Sequence, residues 1–279
     1  MTAILVPTDF SENAWNALKY GLELYKGRPC TFHLLHVNPI LSNVGDKKPM
    51  LKTPQQVEEQ VLKKSRVLLE KLLERIGKLP IEYDHTFVTH TTYAFFVETI
   101  REMIRQQQID LVLMGTKGAA GLKKLSLGSN TAAVMTKVKC PLLAIPQEAT
   151  YRNLGDIAFP TDFRMAYSQN VLKNLEEIIK TTKAALRVLY MSSKDAELDL
   201  EQQRNKGILQ DFLKSCELSF HHVDGRDLSV AVQYFTQSRN IDMIAMVAKN
   251  LNFLQRILFK PRIEEISYHV KLPFLVLHE

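Results

Sequence analysis

Ile4-Leu5-Val6-Pro7-Thr8-Asp9-Phe10 returns later in the chain as Ile157-Ala158-Phe159-Pro160-Thr161-Asp162-Phe163. In each copy an apolar run meets a proline and an aspartate, as a strand covered on both faces reads where it stops at a turn. Three further segments recur in the same order. Leu34-Leu35-His36-Val37 answers to Val188-Leu189-Tyr190-Met191, residues 109–114 to residues 241–246, and residues 140–145 to residues 272–277. Four ordered matches mark one unit written twice, with a shorter middle in the second copy. At 279 residues the chain is long enough for two cores. The reading is two domains, 1–149 and 154–279, with the boundary near Ala149-Thr150-Tyr151-Arg152-Asn153.

Within the first copy, strands are expected at 2–7, 29–37, 81–89, 110–115 and 141–145, with helical stretches between them. Ser11 can cap the first helix, which runs to Tyr25 and is stopped by Gly27 and Pro29. Thr53-Pro54-Gln55-Gln56 is a capping-box pattern with proline at the first helical position. Val57, Val61, Leu68, Leu69 and Leu72 then recur at helical spacing until Gly77 and Pro80. Strand–helix alternation of this kind predicts an α/β fold with a doubly wound parallel sheet in each domain. The irregular stretch 38–52 leaves the C-terminal end of a strand, where such sheets bind ligands, and has the place of a lid.

The run Met114-Gly115-Thr116-Lys117-Gly118, continued to Gly128-Ser129-Asn130-Thr131, has the spacing G-x-x-G-x9-G-S. It lies where a strand hands over to a helix. Glycines there free the backbone, and the N–H groups of a helix start favour an anion such as phosphate. Ser129 and Thr131 add hydroxyl donors, and Lys117, Lys123 and Lys124 add positive charge. The run is neither a P-loop nor the dinucleotide fingerprint, since its glycines follow the fourth strand and its spacing differs. A tight strand–helix connection with no ligand is an equally open reading of the spacing alone. Asp9 can accept hydrogen bonds from an adenine amino group or a ribose; it can equally serve the start of the first helix with Ser11.

Pro7-Thr8-Asp9-Phe10-Ser11, Leu34-Leu35-His36-Val37, Asp110-Leu111-Val112-Leu113-Met114-Gly115, the glycine run and Cys140-Pro141-Leu142-Leu143 together resemble the universal stress protein family, over the whole chain as a tandem pair. The resemblance implies two tandem doubly wound domains of the adenine nucleotide alpha hydrolase-like type, each with a five-stranded parallel sheet, packed as a pseudo-dimer. It implies ATP, with or without Mg2+, as the cofactor. On the adenine side it points to Pro7, Thr8, Asp9 and the backbone of Val37. On the ribose and phosphate side it points to Met114, Gly115, Lys117, Gly118, Gly128, Ser129, Asn130 and Thr131. In the second copy Gly115, Gly118, Gly128 and Ser129 are replaced by Val247, Asn250, Lys260 and Pro261. A branched side chain and a residue without N–H oppose the same mode of binding there, leaving that domain a structural or partner-binding role.

The rest of the composition narrows the classes. A net charge of +6 without any Lys/Arg block argues against nucleic acid as partner. No apolar stretch approaches the ~20 residues of a membrane span, and the N-terminus has no basic, signal-like start. Cys30, Cys140 and Cys216 are scattered and odd in number, which fits buried or free thiols in a cytoplasmic protein. His33/His36, His85/His90 and His221/His222 are each an odd number apart on strand-like segments and cannot chelate a metal from one strand. His36, beside Val37, is the histidine nearest the expected pocket. The leading expectation is a cytoplasmic stress-response regulator that binds an adenine nucleotide in the first domain and acts through an unknown protein partner, with a homodimer of the tandem chain as an open assembly. A nucleotide-independent scaffold is the alternative. A slow ATPase or self-phosphorylating enzyme ranks last, because no general base or magnesium site beyond Asp9 stands out.

Overall fold

The computed structural model describes residues 1–40, 53–80, 84–116, 128–192, 197–224, 228–248 and 271–279. In chain order the first half gives β1 (Thr2–Pro7), α1 (Glu12–Leu24), β2 (Cys30–Asn38), α2 (Pro54–Gly77), β3 (Thr86–Tyr93), α3 (Phe96–Gln106), β4 (Leu111–Gly115), α4 (Ser129–Lys137) and β5 (Leu142–Ile145). The second half gives β6 (Asp156–Thr161), α5 (Gln169–Thr182), β7 (Ala185–Ser192), α6 (Leu200–Phe212), β8 (Leu218–Asp224), α7 (Leu228–Ser238), β9 (Met243–Val247) and β10 (Phe274–Leu277).

All the described strands share one sheet, in the order β3-β2-β1-β4-β5-β10-β9-β6-β7-β8. Within each half the pairing is parallel. The halves meet through an antiparallel pair, Leu142–Ala144 of β5 against Phe274–Val276 of β10. The two five-stranded sheets of the tandem reading are therefore joined by main-chain hydrogen bonds, and the pseudo-dimer is one continuous sheet. Leu142, Leu143, Ala144, Leu275 and Val276 at this seam are fully buried.

Strand residues alternate between two cores. Ile4, Val6, Phe32 and Leu34 face a cluster with α1, α2, α5 and α6, including Leu18, Leu69, Leu175 and Leu209. Leu5, Leu35 and Val112 face the other, with Ile100 of α3, Val134 of α4 and Val232 of α7. Both clusters cross the seam, so neither half owns a private core. No described helix is long and apolar enough to cross a membrane.

The helix starts follow local chemistry. Ser11 accepts from the Ala14 N–H, and Thr53 and Gln56 form a reciprocal capping box. Asp199 and Gln202 form a second box at α6 that composition alone did not flag. The third strand sits at Thr86–Tyr93, several residues later than the expected 81–89. The β-branched run Thr86, Val88, Thr89, Thr91 and Thr92 carries it, and its ends register with Thr31 and Asn38 of β2. The stretch 41–52, in which the lid was expected, lies outside the described residues.

The repeated Ile-Asp pair has a structural task. Asp110 accepts from the Ala3 N–H at 2.8 Å, while its own N–H donates to the Ala3 carbonyl at 2.9 Å. Asp242 repeats this, accepting from Gly155 at 2.7 Å and donating to the Asp156 carbonyl at 3.0 Å. Each aspartate locks the start of a fourth strand to the start of a first strand. Cys30 and Cys140 are buried free thiols, pushed up by burial to about 11 and about 12. They remain protonated and inert.

Leu143→Ala removes a fully buried side chain at the seam. It is expected to lower the unfolding free energy by about 2–5 kcal/mol, read by equilibrium denaturation.

Candidate functional site

β1 has β2 on one side and β4 on the other, so the strand order reverses between β1 and β4. From β1 the chain leaves into α1 on one face of the sheet; from β4 it leads to α4 on the opposite face. The carboxyl ends of these two strands thus frame a crevice, the place where open α/β sheets receive ligands.

One wall is the turn after β1. Thr8 donates its N–H to the Leu35 carbonyl at 2.8 Å, and its own carbonyl bonds the His36 Nδ1 at 2.7 Å. That contact makes Nδ1 the protonated nitrogen of His36, whose ring lies 4.6 Å from Phe10, centroid to centroid. The Thr8 hydroxyl accepts from the Phe10 N–H, and Asp9 Oδ1 accepts from both the N–H and the hydroxyl of Ser11, the latter at 2.6 Å. Phe10 is held at φ +62°, a costly conformation for a bulky residue. The second half repeats the turn: Phe163 has φ +56° and donates to Thr161 Oγ1, and Arg164 donates to Asp162 Oδ1. Since it recurs where the glycine run does not, this geometry belongs to the fold. Asp9 itself is exposed at the crevice. β2 runs on through His36, Val37 and Asn38 after β1 has ended, so the backbone of Val37 borders the same opening.

The other wall is built on Met114, which is buried, and Gly115. A Cβ on Gly115 would stand 2.7 Å from Asn13 Nδ2 and 3.0 Å from the Asn13 backbone oxygen. The space that this glycine leaves is therefore taken by the first turn of α1, where the sequence reading had placed a ligand. α4 is strapped to the end of β4: Gly128 donates its N–H to the Thr116 carbonyl at 2.7 Å, and the Thr131 hydroxyl donates to the Gly115 carbonyl at 2.8 Å. Thr131 is buried, so its hydroxyl serves the strand–helix joint.

Gly128 caps α4 without a side chain, at φ −61°. The N–H groups of Ser129, Asn130 and Thr131 have no acceptor among the described residues, the first turn carries no acidic residue, and Ser129 and Asn130 are exposed. This is an uncapped helix start with its positive dipole end open. Lys117 and Gly118, with the rest of 117–127, lie outside the described residues.

The second half differs in more than its glycines. Val247, which repeats Gly115, is buried. Room for it exists because α5 starts at Gln169, further beyond Thr161 than α1 starts beyond Pro7. Tyr167 takes the vacated ground, packing on Phe159 with its hydroxyl 2.6 Å from Thr161 Oγ1. Gln202 and Asn205 of α6 then clamp the turn by donating to the Asp162 and Phe163 carbonyls. Asn250, Lys260 and Pro261 lie outside the described residues.

The histidines that share a strand do not pair, but neighbouring strands bring two together. His33 Nδ1 lies 3.0 Å from His90 Nε2 across β2 and β3, with the rings stacked at 5.2 Å. Pairing across strands was out of reach of a count along one strand. Burial lowers both pKa values, and His33 lowers that of His90 further. No cluster of three or more His, Cys, Asp or Glu side chains suited to a metal occurs among the described residues.

Two outcomes follow. Gly115→Ala is expected to destabilise the nucleotide-free chain by about 1–3 kcal/mol in denaturant titrations, because the Asn13 backbone must move. A histidine whose folded pKa lies below its unfolded value gains protons on unfolding. Its stabilising contribution is complete above about 6.5 and falls as pH drops through that value. The thermal midpoint is therefore expected to fall between about pH 7 and pH 5, and His90→Gln to flatten part of that fall.

Residues 1–146 match the universal stress protein family. Universal stress protein MJ0531 of Methanocaldococcus jannaschii is 25% identical over 145 residues, covering 51% of this chain and 80% of that relative. Universal stress protein MJ0577 of the same organism is 24% identical over 157 residues, covering 52% of this chain and 94% of the relative. The crystal structure of a universal stress protein from Archaeoglobus fulgidus aligns with 99% of this chain and 98% of its own, with a TM-score of 0.71 at 18% identity, a likeness of fold. With more than half of its length matched by the family, the chain belongs to the universal stress proteins.

Proposed function

We propose that this universal stress protein is a cytoplasmic regulator that binds one ATP in the crevice between β1 and β4, within a first domain of residues 1–149. A second domain, 154–279, completes the sheet and presents a partner surface. The observation that carries this reading is the start of α4, which has no side-chain cap: three N–H groups with no acceptor among the described residues, two of them on exposed residues, and no acidic side chain in the turn. A phosphate group satisfies such a start. Asp9 and the Val37 backbone, on the opposite wall, are suited to the base and ribose, and Lys117 and Gly118 to the phosphates. A Mg2+ ion, where one accompanies the nucleotide, would be held mainly by phosphate oxygens. Occupancy can act as a signal only through a difference in affinity between two states of the protein.

A second reading has its own observation. Asn13 fills the space at Gly115, so that glycine has a packing reason to be there without any nucleotide. In this reading the chain is a scaffold.

Calorimetry of the full chain with ATP separates the two. The regulator reading expects one site per chain. It further expects Ser129→Asp to weaken ATP at least about tenfold while leaving the fold intact, since a carboxylate at a helix start repels phosphate yet favours the helix dipole. Absence of binding, or binding unchanged by Ser129→Asp, would overturn the regulator reading.

A further inference from the structure

β8 is the outermost strand of the second half, and its Ser219 lies in register with Arg187 of β7. Ser219 and His221 are two residues apart on β8 and so share a face of the sheet. Ser219 Oγ lies 2.8 Å from His221 Nε2 and accepts from Arg187 Nη1 at 3.1 Å. Arg187 is itself held on two sides. Its Nε donates to Asp156 Oδ1, and its Nη2 donates to Glu217 Oε1 at 3.0 Å. The His221 ring packs against Phe235 of α7, with centroids 5.1 Å apart.

These contacts order the protons. A guanidinium can only donate, so the Ser219 oxygen is its acceptor. Nε2 is the acceptor in reach of that oxygen among the described residues, and the hydroxyl proton points at it. The imidazole is then neutral and carries its own proton on Nδ1. Burial lowers the His221 pKa, and the charges of Arg239 and Arg187 lower it further against an opposing pull from Asp156. At neutral pH Nε2 is therefore a free base. A hydroxyl placed in this way has an acceptor for its proton and a fixed positive charge beside the oxygen as that proton leaves. Both Ser219 and His221 are only half-buried, within reach of a small reagent.

We infer that Ser219 is a nucleophile that takes up an acyl group from an activated ester or thioester. Oγ attacks the acyl carbon while its proton passes to His221 Nε2. The bond from that carbon to the leaving oxygen or sulfur then breaks. The leaving group departs with the electron pair and takes the proton from Nε2, which leaves an O-acyl serine and a neutral His221. The local charges select the group transferred. Asp156 and Glu217 balance Arg187 and Arg239, so no surplus of positive charge holds a phosphoryl group, whereas an acyl carbonyl brings no charge to be opposed.

The test is reaction of the full nucleotide-free chain with p-nitrophenyl acetate, following nitrophenol release and mapping the acetyl group by peptide mass. Expected is one acetyl group per chain, on Ser219, at a rate that is level near neutral pH and falls in acid as His221 takes up a proton. Ser219→Ala is expected to lose the fast release. His221→Gln keeps an acceptor for the hydroxyl but is no base; it is expected to slow the release at least about tenfold and to abolish the fall in acid. Denaturant midpoints show whether each variant keeps its fold, and the position of the acetyl group on the unaltered chain decides the matter should a variant unfold. No acetylation, acetyl groups on lysines or Cys216 in place of Ser219, or an unchanged rate in folded His221→Gln would overturn the inference. With no nucleotide present, failure here leaves the ATP reading untouched.

Discussion

The antiparallel pairing of Leu142–Ala144 with Phe274–Val276 is the contact on which the rest of this molecule depends. A parallel five-stranded unit has a last strand with one open edge, and an apolar open edge invites association. The duplication supplies a second such edge in the same chain, and the two close on each other. Everything near the seam then becomes common property. Both cores run through it, Asn16 of α1 donates to the carbonyls of Pro146, Gln147 and Ala149 in the connection, and Tyr20 packs edge-on against Tyr151. His278, just past β10, reaches the Met135 carbonyl of α4 at 3.0 Å. The helix whose start borders the proposed ATP crevice is thus held near its far end by the other half.

Duplication also allowed the halves to diverge. The first keeps a short turn from β1 to α1, so α1 crowds the end of β4 and permits only glycine at position 115. The second lets α5 begin later, and the gap is closed by Tyr167 and by the clamp from Gln202 and Asn205. In the first half the start of α4 has no side-chain cap; in the second an aromatic ring, Tyr167, packs beside the repeated turn. The same repeated turn, with phenylalanine at positive φ, supports both outcomes.

The architecture was legible because its signals are local or periodic. Repeated apolar runs, Ser11, the Thr53 box and the Gly77–Pro80 stop all act over a few residues, and the structure places strands and helices accordingly. The third strand was misplaced because its position is decided by a partner: register with β2 selects the threonine run. At the crevice, the convergence of Asp9, the Val37 backbone and the start of α4 follows from topology, which the alternation of elements already implied. What the residues alone could not reveal is the claim of the fold on them. Gly115 answers to Asn13, Thr131 to the Gly115 carbonyl, and Asp110 to Ala3. Each of these is a contact between segments distant in sequence, as is the meeting of His33 with His90.

The seam has a temporal side as well. Synthesis proceeds from the N-terminus at roughly 5–20 residues per second, so β5 emerges on the order of ten seconds before β10 can reach it. During that interval the nascent first half carries a wholly apolar strand, Leu142–Ile145, with one edge unpaired at its border. On a crowded polysome, neighbouring nascent chains offer each other the same strand. The intramolecular partner prevails once made, through its high effective concentration, but it arrives last. For this fold the hazardous species is a half-finished chain, and the speed with which the second half is completed bears on how much protein reaches the native sheet.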